Sequence, residues 1–141
     1  MCFLSTQTCY HSGLMKTQFE HIALNLTDYA DAVRWYTRHL GLAVVRDDPG
    51  NKVFLGDSSG RTVLELYSNR EVDMPSYADM HPLSLHIAFA VEDPDAAADA
   101  LVAAGAVMVD PPRNVAGDRL AMVRDPWGVC LQFIRREEPM P

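Results

Sequence analysis

The feature that most constrains the fold of this chain is an internal repeat. The segment HIALNLTDYADAVRWYTRHLGLAVV begins at His21, and the similar segment HIAFAVEDPDAAADALVAAGAVMV begins at His86. The same separation of 65 positions relates Asp28 to Asp93. A chain that contains one supersecondary unit twice is expected to fold both copies alike and to stabilise each by packing.

Each copy has the pattern of a strand, a helix and three further strands. Apolar residues at every second position predict opening strands at 19–26 and 84–91. Aspartates at the helix starts and glycines at the helix ends predict helices near 28–40 and 94–104. The other strands are predicted at 42–47, 51–56, 62–67, 106–110, 118–124 and 129–135. The sequence therefore predicts an α+β fold of two tandem βαβββ modules forming a curved mixed sheet around a central cup.

The length of 141 residues is that of one domain. We expect a single domain over 17–138, with module one at 17–68, a linker at 69–83 and module two at 84–138. Residues 1–16 precede the first patterned segment and are expected to be an N-terminal extension.

Charge and composition exclude several classes of function. Nineteen acidic and twelve basic residues give a net charge of −7, which disfavours binding to nucleic acid or to an anionic membrane surface. No apolar run approaches the roughly 18 residues of a membrane span, and the N-terminus lacks the pattern of a secretory signal, so we expect a cytoplasmic protein. Three widely spaced cysteines provide neither a disulfide framework nor a CxxC motif.

Strand alternation places four polar side chains at equivalent positions of the two modules. His21 and His86 fall on the face opposite the helices, and so do Glu65 and Gln132 on the last strand of each module. Two imidazoles, a carboxylate and an amide oxygen suit a divalent Zn, Ni, Fe, Mn or Co ion with positions left for substrate. The alternative is that duplication has preserved two packing histidines. Tyr67 shares the face of Glu65 and is predicted to line the same pocket.

The segments FEHIALNL, AVRWYTRHLGL, TVLELYSN, LHIAFAV and DPWGVCLQFI, between about 19 and 136, resemble the vicinal oxygen chelate superfamily. This superfamily includes glyoxalase I, extradiol dioxygenases and bleomycin resistance proteins. Within it, the sequence is most similar to glyoxalase I-like members. The resemblance implies a homodimer and metal ligands on the first, fourth, fifth and eighth strands. These positions correspond to His21, Glu65, His86 and Gln132.

The resemblance also suggests substrate-binding residues. Asn69 falls at the glutathione-contacting asparagine of glyoxalase I, whereas Asn25 and Pro82 stand where that enzyme has glutathione-binding arginines. Trp127, in the turn before the last strand, is a candidate to overhang the cup, and the alternative is an ordinary turn aromatic. The predicted substrate-binding residues are Asn25, Tyr67, Asn69 and Trp127.

The function predicted from these observations is that of a metal-dependent, glyoxalase-like lyase or isomerase. Its small-molecule substrate would be chelated through vicinal oxygens, and Glu65 would be the catalytic base because the amide of Gln132 cannot accept the proton. One alternative is a non-catalytic small-molecule binding protein of the bleomycin-resistance type. Another is an extradiol-type dioxygenase, which normally has a carboxylate where Gln132 stands.

Overall fold

The computed structural model describes residues 15–141, so most of the expected N-terminal extension lies outside the described residues. The first half contains one helix and four strands, and the second half repeats this order. In the first half these are β1 (Ile22–Asn25), α1 (Tyr29–His39), β2 (Ala43–Asp48), β3 (Lys52–Gly56) and β4 (Thr62–Tyr67). After a single 3₁₀ turn at Tyr77–Asp79 come β5 (Ile87–Ala90), α2 (Pro94–Ala103), β6 (Val107–Val115), β7 (Asp118–Arg124) and β8 (Cys130–Arg135).

The strands form two four-stranded mixed sheets with the same topology. The first sheet has the order β1-β4-β3-β2, and the second has the order β5-β8-β7-β6. In each sheet the opening strand pairs in parallel with the last strand, while the other pairings are antiparallel. The predicted α+β fold of two βαβββ modules is confirmed, with the strands divided between two sheets.

Both helices begin where their capping aspartates predict. The Asp28 carboxylate accepts a hydrogen bond from the backbone N–H of Asp31 at 3.1 Å, and Asp93 accepts one from Ala96 at 3.0 Å. Each bond satisfies a donor that the first helical turn leaves free. The helices pack on the leucine-rich faces of the sheets, so the opposite face of each sheet is available for a site.

Strand β6 is longer than the predicted 106–110 because it continues through two prolines. Pro111 and Pro112 lie where the register with β7 shifts, between Asp110 and Arg113. Proline has no N–H to donate, but at a bulge in an edge strand none is required. The strand can therefore resume after the bulge and end at Val115.

Side chains of α1 connect the two halves of the chain. The indole Nε1 of Trp35 donates a hydrogen bond to the Ala104 carbonyl at 2.9 Å, and the Tyr36 hydroxyl donates one to Asp125. Both aromatic side chains are buried in a core shared by the two sheets. No helix within residues 15–141 is long and apolar enough to cross a membrane.

Candidate functional site

His21 and Glu65 meet on the face of the first sheet that is turned away from α1. The parallel register of β1 and β4 pairs Ala23 with Glu65, so the imidazole that precedes β1 lies beside the carboxylate of β4. His21 Nε2 is 3.1 Å from Glu65 Oε2. The Glu65 side chain is only 12% exposed and that of His21 26%, so the pair lies in a half-buried environment where polar contacts are stronger than in water.

The other ring nitrogen of His21, Nδ1, contacts the carboxylate of Glu20. His21 Nδ1 lies 2.8 Å from Glu20 Oε1, and the edge of the ring contacts Phe54 with centroids 5.4 Å apart. When the neutral imidazole carries its proton on Nδ1 and donates it to Glu20, Nε2 and Glu65 Oε2 are two acceptors 3.1 Å apart, a contact that a shared cation would make favourable. A carboxylate behind the histidine is the usual outer-shell partner of a metal-ligating imidazole.

Lys52 completes the arrangement around Glu65. Its Nζ lies 3.1 Å from Glu65 Oε1 and 5.5 Å from the centre of the Phe54 ring. Alternation in β3 places Lys52 and Phe54 on the same face as Glu65. Sequence reasoning missed both Lys52 and Glu20, although the parity of the 51–56 strand contained the signal for the lysine.

His86 and Gln132 occupy the matching positions of the second sheet. The register of β5 and β8 pairs Ala88 with Gln132, as β1 and β4 pair Ala23 with Glu65. His86 Nδ1 lies 2.8 Å from the Pro82 carbonyl oxygen, an acceptor that requires Nδ1 to carry the proton. His86 Nε2 therefore has the lone pair.

The structure brings His21 and Glu65 together, but it does not bring His86 to them. Residues 15–141 contain no group of three or more His, Cys, Asp or Glu side chains positioned to hold one ion. His21, Glu65 and His86 would form such a group if they met. Instead His86 borders a cavity of about 790 Å³ between the two halves of the chain, with mainly apolar walls from β1, β5 and α2.

Asn25 and Asn69 bind to each other. Asn25 Nδ2 donates to the Asn69 carbonyl at 2.9 Å, and Asn25 Oδ1 accepts from the Asn69 N–H at 2.7 Å. Asn25 is only 6% exposed, and this contact fixes the start of the linker against β1. Tyr67 and Asn69 border a polar cavity of about 490 Å³ that also reaches Glu65 and Lys52.

Trp127 lies against α1. Its ring is stacked on Tyr36 at 6.4 Å and meets Trp35 edge-on at 6.1 Å between centroids. The adjacent Asp125 accepts bonds from Tyr36 and from the backbone N–H groups of Trp127 and Val129. Burial raises the pKa of Asp125 above its ordinary value, although these hydrogen bonds act in the opposite direction.

The donors present fit a divalent metal ion in type. An imidazole Nε2 and a carboxylate oxygen converge in the first sheet, while an imidazole Nε2 and an amide lie at the equivalent positions of the second. Nitrogen and oxygen donors of this kind bind Zn, Fe, Ni, Co and Mn. If the four predicted residues bind one ion, each sheet would contribute two of them.

Comparisons with known proteins agree with this architecture. A probable lactoylglutathione lyase of Vibrio cholerae serotype O1 is 28% identical in an alignment of 127 positions, which covers 84% of this chain and 90% of the relative. A possible glyoxalase from Bacillus cereus superposes with a TM-score of 0.64 at 20% identity, covering 85% of this chain and 100% of the other. TnmS3, an antibiotic binding protein from Streptomyces sp. CB03234, superposes with a TM-score of 0.65 at 22% identity, covering 84% and 94%.

The two structural matches show the fold, and a family model assigns the chain to a family. The model of the Glyoxalase/Bleomycin resistance protein/Dioxygenase superfamily matches residues 18–133. This match covers both helices and all strands up to the first part of β8, and it confirms the family indicated by the repeated segments. The chain therefore belongs to the Glyoxalase/Bleomycin resistance protein/Dioxygenase superfamily.

Proposed function

We propose that this protein is a metal-dependent lyase or isomerase of the glyoxalase type. Its substrate is a small molecule with two neighbouring oxygens that bind one divalent ion. The observation that carries the proposal is the 3.1 Å approach of His21 Nε2 to Glu65 Oε2, supported by the anchoring of both predicted histidine ligands through Nδ1. These contacts leave both Nε2 atoms available to a metal.

The site is proposed to form between two copies of the chain. His21 and Glu65 of one copy would face His86 and Gln132 of the other, because one chain does not bring these pairs together. The opening strands β1 and β5 each have a partner on one side only, so each has a free edge. Ala23, Ala88 and Ala90 on these strands are small and exposed, which lets a second backbone approach.

The residues of the chain have distinct roles in this proposal. The ion, when bound, acts as a Lewis acid that stabilises negative charge on the substrate oxygens. Glu65 accepts the proton of a substrate C–H group, since it is the one carboxylate among the four ligands. Gln132 contributes its amide oxygen and cannot act as a base. Glu20 and the Pro82 carbonyl orient the two imidazoles.

A non-catalytic small-molecule binding protein is the second candidate. It is favoured by the 790 Å³ cavity, whose walls are largely apolar and would hold a ligand by burial alone. Such a protein does not need a metal. An extradiol-type dioxygenase would require a carboxylate in place of Gln132, so it ranks below these two.

Elemental analysis of protein purified without chelator tests the proposal. We expect a stoichiometric divalent metal in the parent and its loss in His21→Ala, Glu65→Gln and His86→Ala. His39→Ala is the matched control, because His39 packs against Trp35 at the end of α1 and should leave the metal in place. A parent without metal, even after exposure to Ni, Zn, Mn and Fe(II), would favour the binding protein.

A further inference from the structure

We infer that the substrate is an anion, a small carboxylic acid with a hydroxyl or keto oxygen on its α-carbon, and that Lys52 binds its carboxylate. This inference rests on the proposed function and specifies its substrate class. The geometry that supports it is the 3.1 Å contact between Lys52 Nζ and Glu65 Oε1, which places an ammonium beside a predicted metal ligand.

The charges around Glu65 would not balance once a divalent ion is bound. Of the four predicted ligands only Glu65 is charged, since Gln132 is an amide and the imidazoles are neutral when they ligate. One carboxylate against a divalent ion and the Lys52 ammonium leaves two positive charges uncompensated. Glu20 is 78% exposed and screened by water, so it offsets little of this charge. A half-buried site of this charge favours an anionic ligand.

The cavity beside Glu65 has the donors that a carboxylate requires. Lys52, Tyr67, Asn69 and Arg70 border its volume of about 490 Å³, and Glu71 is a second carboxylate at its wall besides Glu65. Arg70 takes part in none of the ion pairs formed within residues 15–141. Its guanidinium and the remaining Lys52 protons can therefore donate to a ligand.

The position of Lys52 relative to Glu65 indicates the kind of carboxylate. Lys52 reaches Glu65 Oε1, while His21 lies at Oε2, so a group bound to Lys52 lies next to the predicted metal position. A carboxylate with an oxygen on its α-carbon supplies two vicinal oxygens for chelation and a third oxygen for the ammonium. A neutral diol supplies the chelating pair but gains nothing from Lys52.

Calorimetric titration of the metal-loaded dimer with lactate and with propane-1,2-diol tests this inference. The two probes share a carbon skeleton and differ in the carboxylate. We expect lactate to bind at least about tenfold more tightly than the diol, and Lys52→Gln to remove about that factor for lactate, as for loss of a charge-assisted hydrogen bond. Lys52→Arg should keep most of the affinity. Lys16→Gln, at the only other lysine of the chain, should match the parent.

Metal content measured on the same samples distinguishes a failure of the proposed function from a failure of the inferred substrate class. A parent without metal contradicts the proposed function, and the inference fails with it. A parent that holds metal but binds the diol as tightly as lactate, or binds inorganic phosphate more tightly, overturns the inference and leaves the function standing. If Lys52→Gln loses its metal, the test uses the parent and Arg70→Gln instead. The inference is supported if the parent binds lactate more tightly than the diol and phosphate and if Arg70→Gln reduces this preference, and it is overturned otherwise.

Discussion

The hydroxyl of Tyr36 in α1 donates a hydrogen bond to the carboxylate of Asp125, which follows β7 and lies 89 positions further along the chain. Both residues are buried, and the contact joins the helix of the first half to a turn of the second. Burial and the nearby carboxylate raise the pKa of Tyr36 well above its ordinary value, so the phenol keeps its proton and remains the donor.

Replacement of Tyr36 by phenylalanine should destabilise the protein without disturbing its shape. The change removes one partner of a buried carboxylate, and we expect the free energy of unfolding to fall by about 1–3 kcal/mol. Urea unfolding followed by tryptophan fluorescence measures this. Tyr29→Phe is the control, because the Tyr29 hydroxyl has no hydrogen-bond partner within residues 15–141. Equal stability of the two variants would contradict the role assigned to the Tyr36–Asp125 bond.

Asp125 should give the stability a specific dependence on pH. Its pKa is raised in the native state, so above the ordinary value of 3.8 the native chain binds more protons than the unfolded chain. The contribution of this group to the free energy of unfolding therefore falls as pH rises from 3.8 through the raised pKa.

In Asp125→Asn this fall should be absent. Four aspartates have lowered pKa values and act in the opposite direction, because their contribution to stability is lost as pH falls, but they are common to both proteins: Asp28, Asp57, Asp95 and Asp118. The difference between the unfolding curves of parent and variant, measured from pH 3 upward, isolates Asp125. Curves that stay parallel over that range would show that Asp125 is not perturbed by folding.

Gly128 should tolerate alanine less well than its counterpart Gly60. Both have positive φ angles, of +88° and +83°, where an L side chain costs roughly 1–2 kcal/mol. A Cβ at Gly128 would lie 2.6 Å from the backbone nitrogen of Ala78, whereas nothing lies within 4 Å of one at Gly60. Thermal unfolding should therefore show a larger loss for Gly128→Ala than for Gly60→Ala. A similar loss in both would mean that the linker does not pack tightly on this turn.

Much of this architecture could be predicted from the sequence because the same strand and helix patterns occur in both copies of the repeat. Alternation at Ile22 and Ile87 located the opening strands, and the parity of Glu65 placed it on the face of His21. Local patterns do not show whether the two modules of one chain bring their site residues together. The separation of His86 from Glu65 could therefore not be predicted. The packing of Trp127 on Tyr36 depends on the contact between the two halves, which strand parity does not describe.

Mixing two inactive variants should restore the metal site if two copies share it. His21→Ala lacks a ligand from the first half of the chain, and His86→Ala lacks one from the second. In a mixed dimer one site would lack both histidines and the other would keep both. Random exchange makes half of the dimers mixed, each with one intact site of two, so we expect about a quarter of the parental metal content.

The matched control for this experiment combines two defects in the same half. His21→Ala mixed with Glu65→Gln leaves no intact site in any dimer, since both lost ligands come from the first sheet. We expect no metal after this exchange, although the chains and the mixing are otherwise equivalent. Because a site formed within one chain cannot be repaired by exchange, metal recovered only in the first mixture would assign His21 and Glu65 to one subunit and His86 to its partner. Absence of recovery from demonstrably mixed dimers would contradict the shared site.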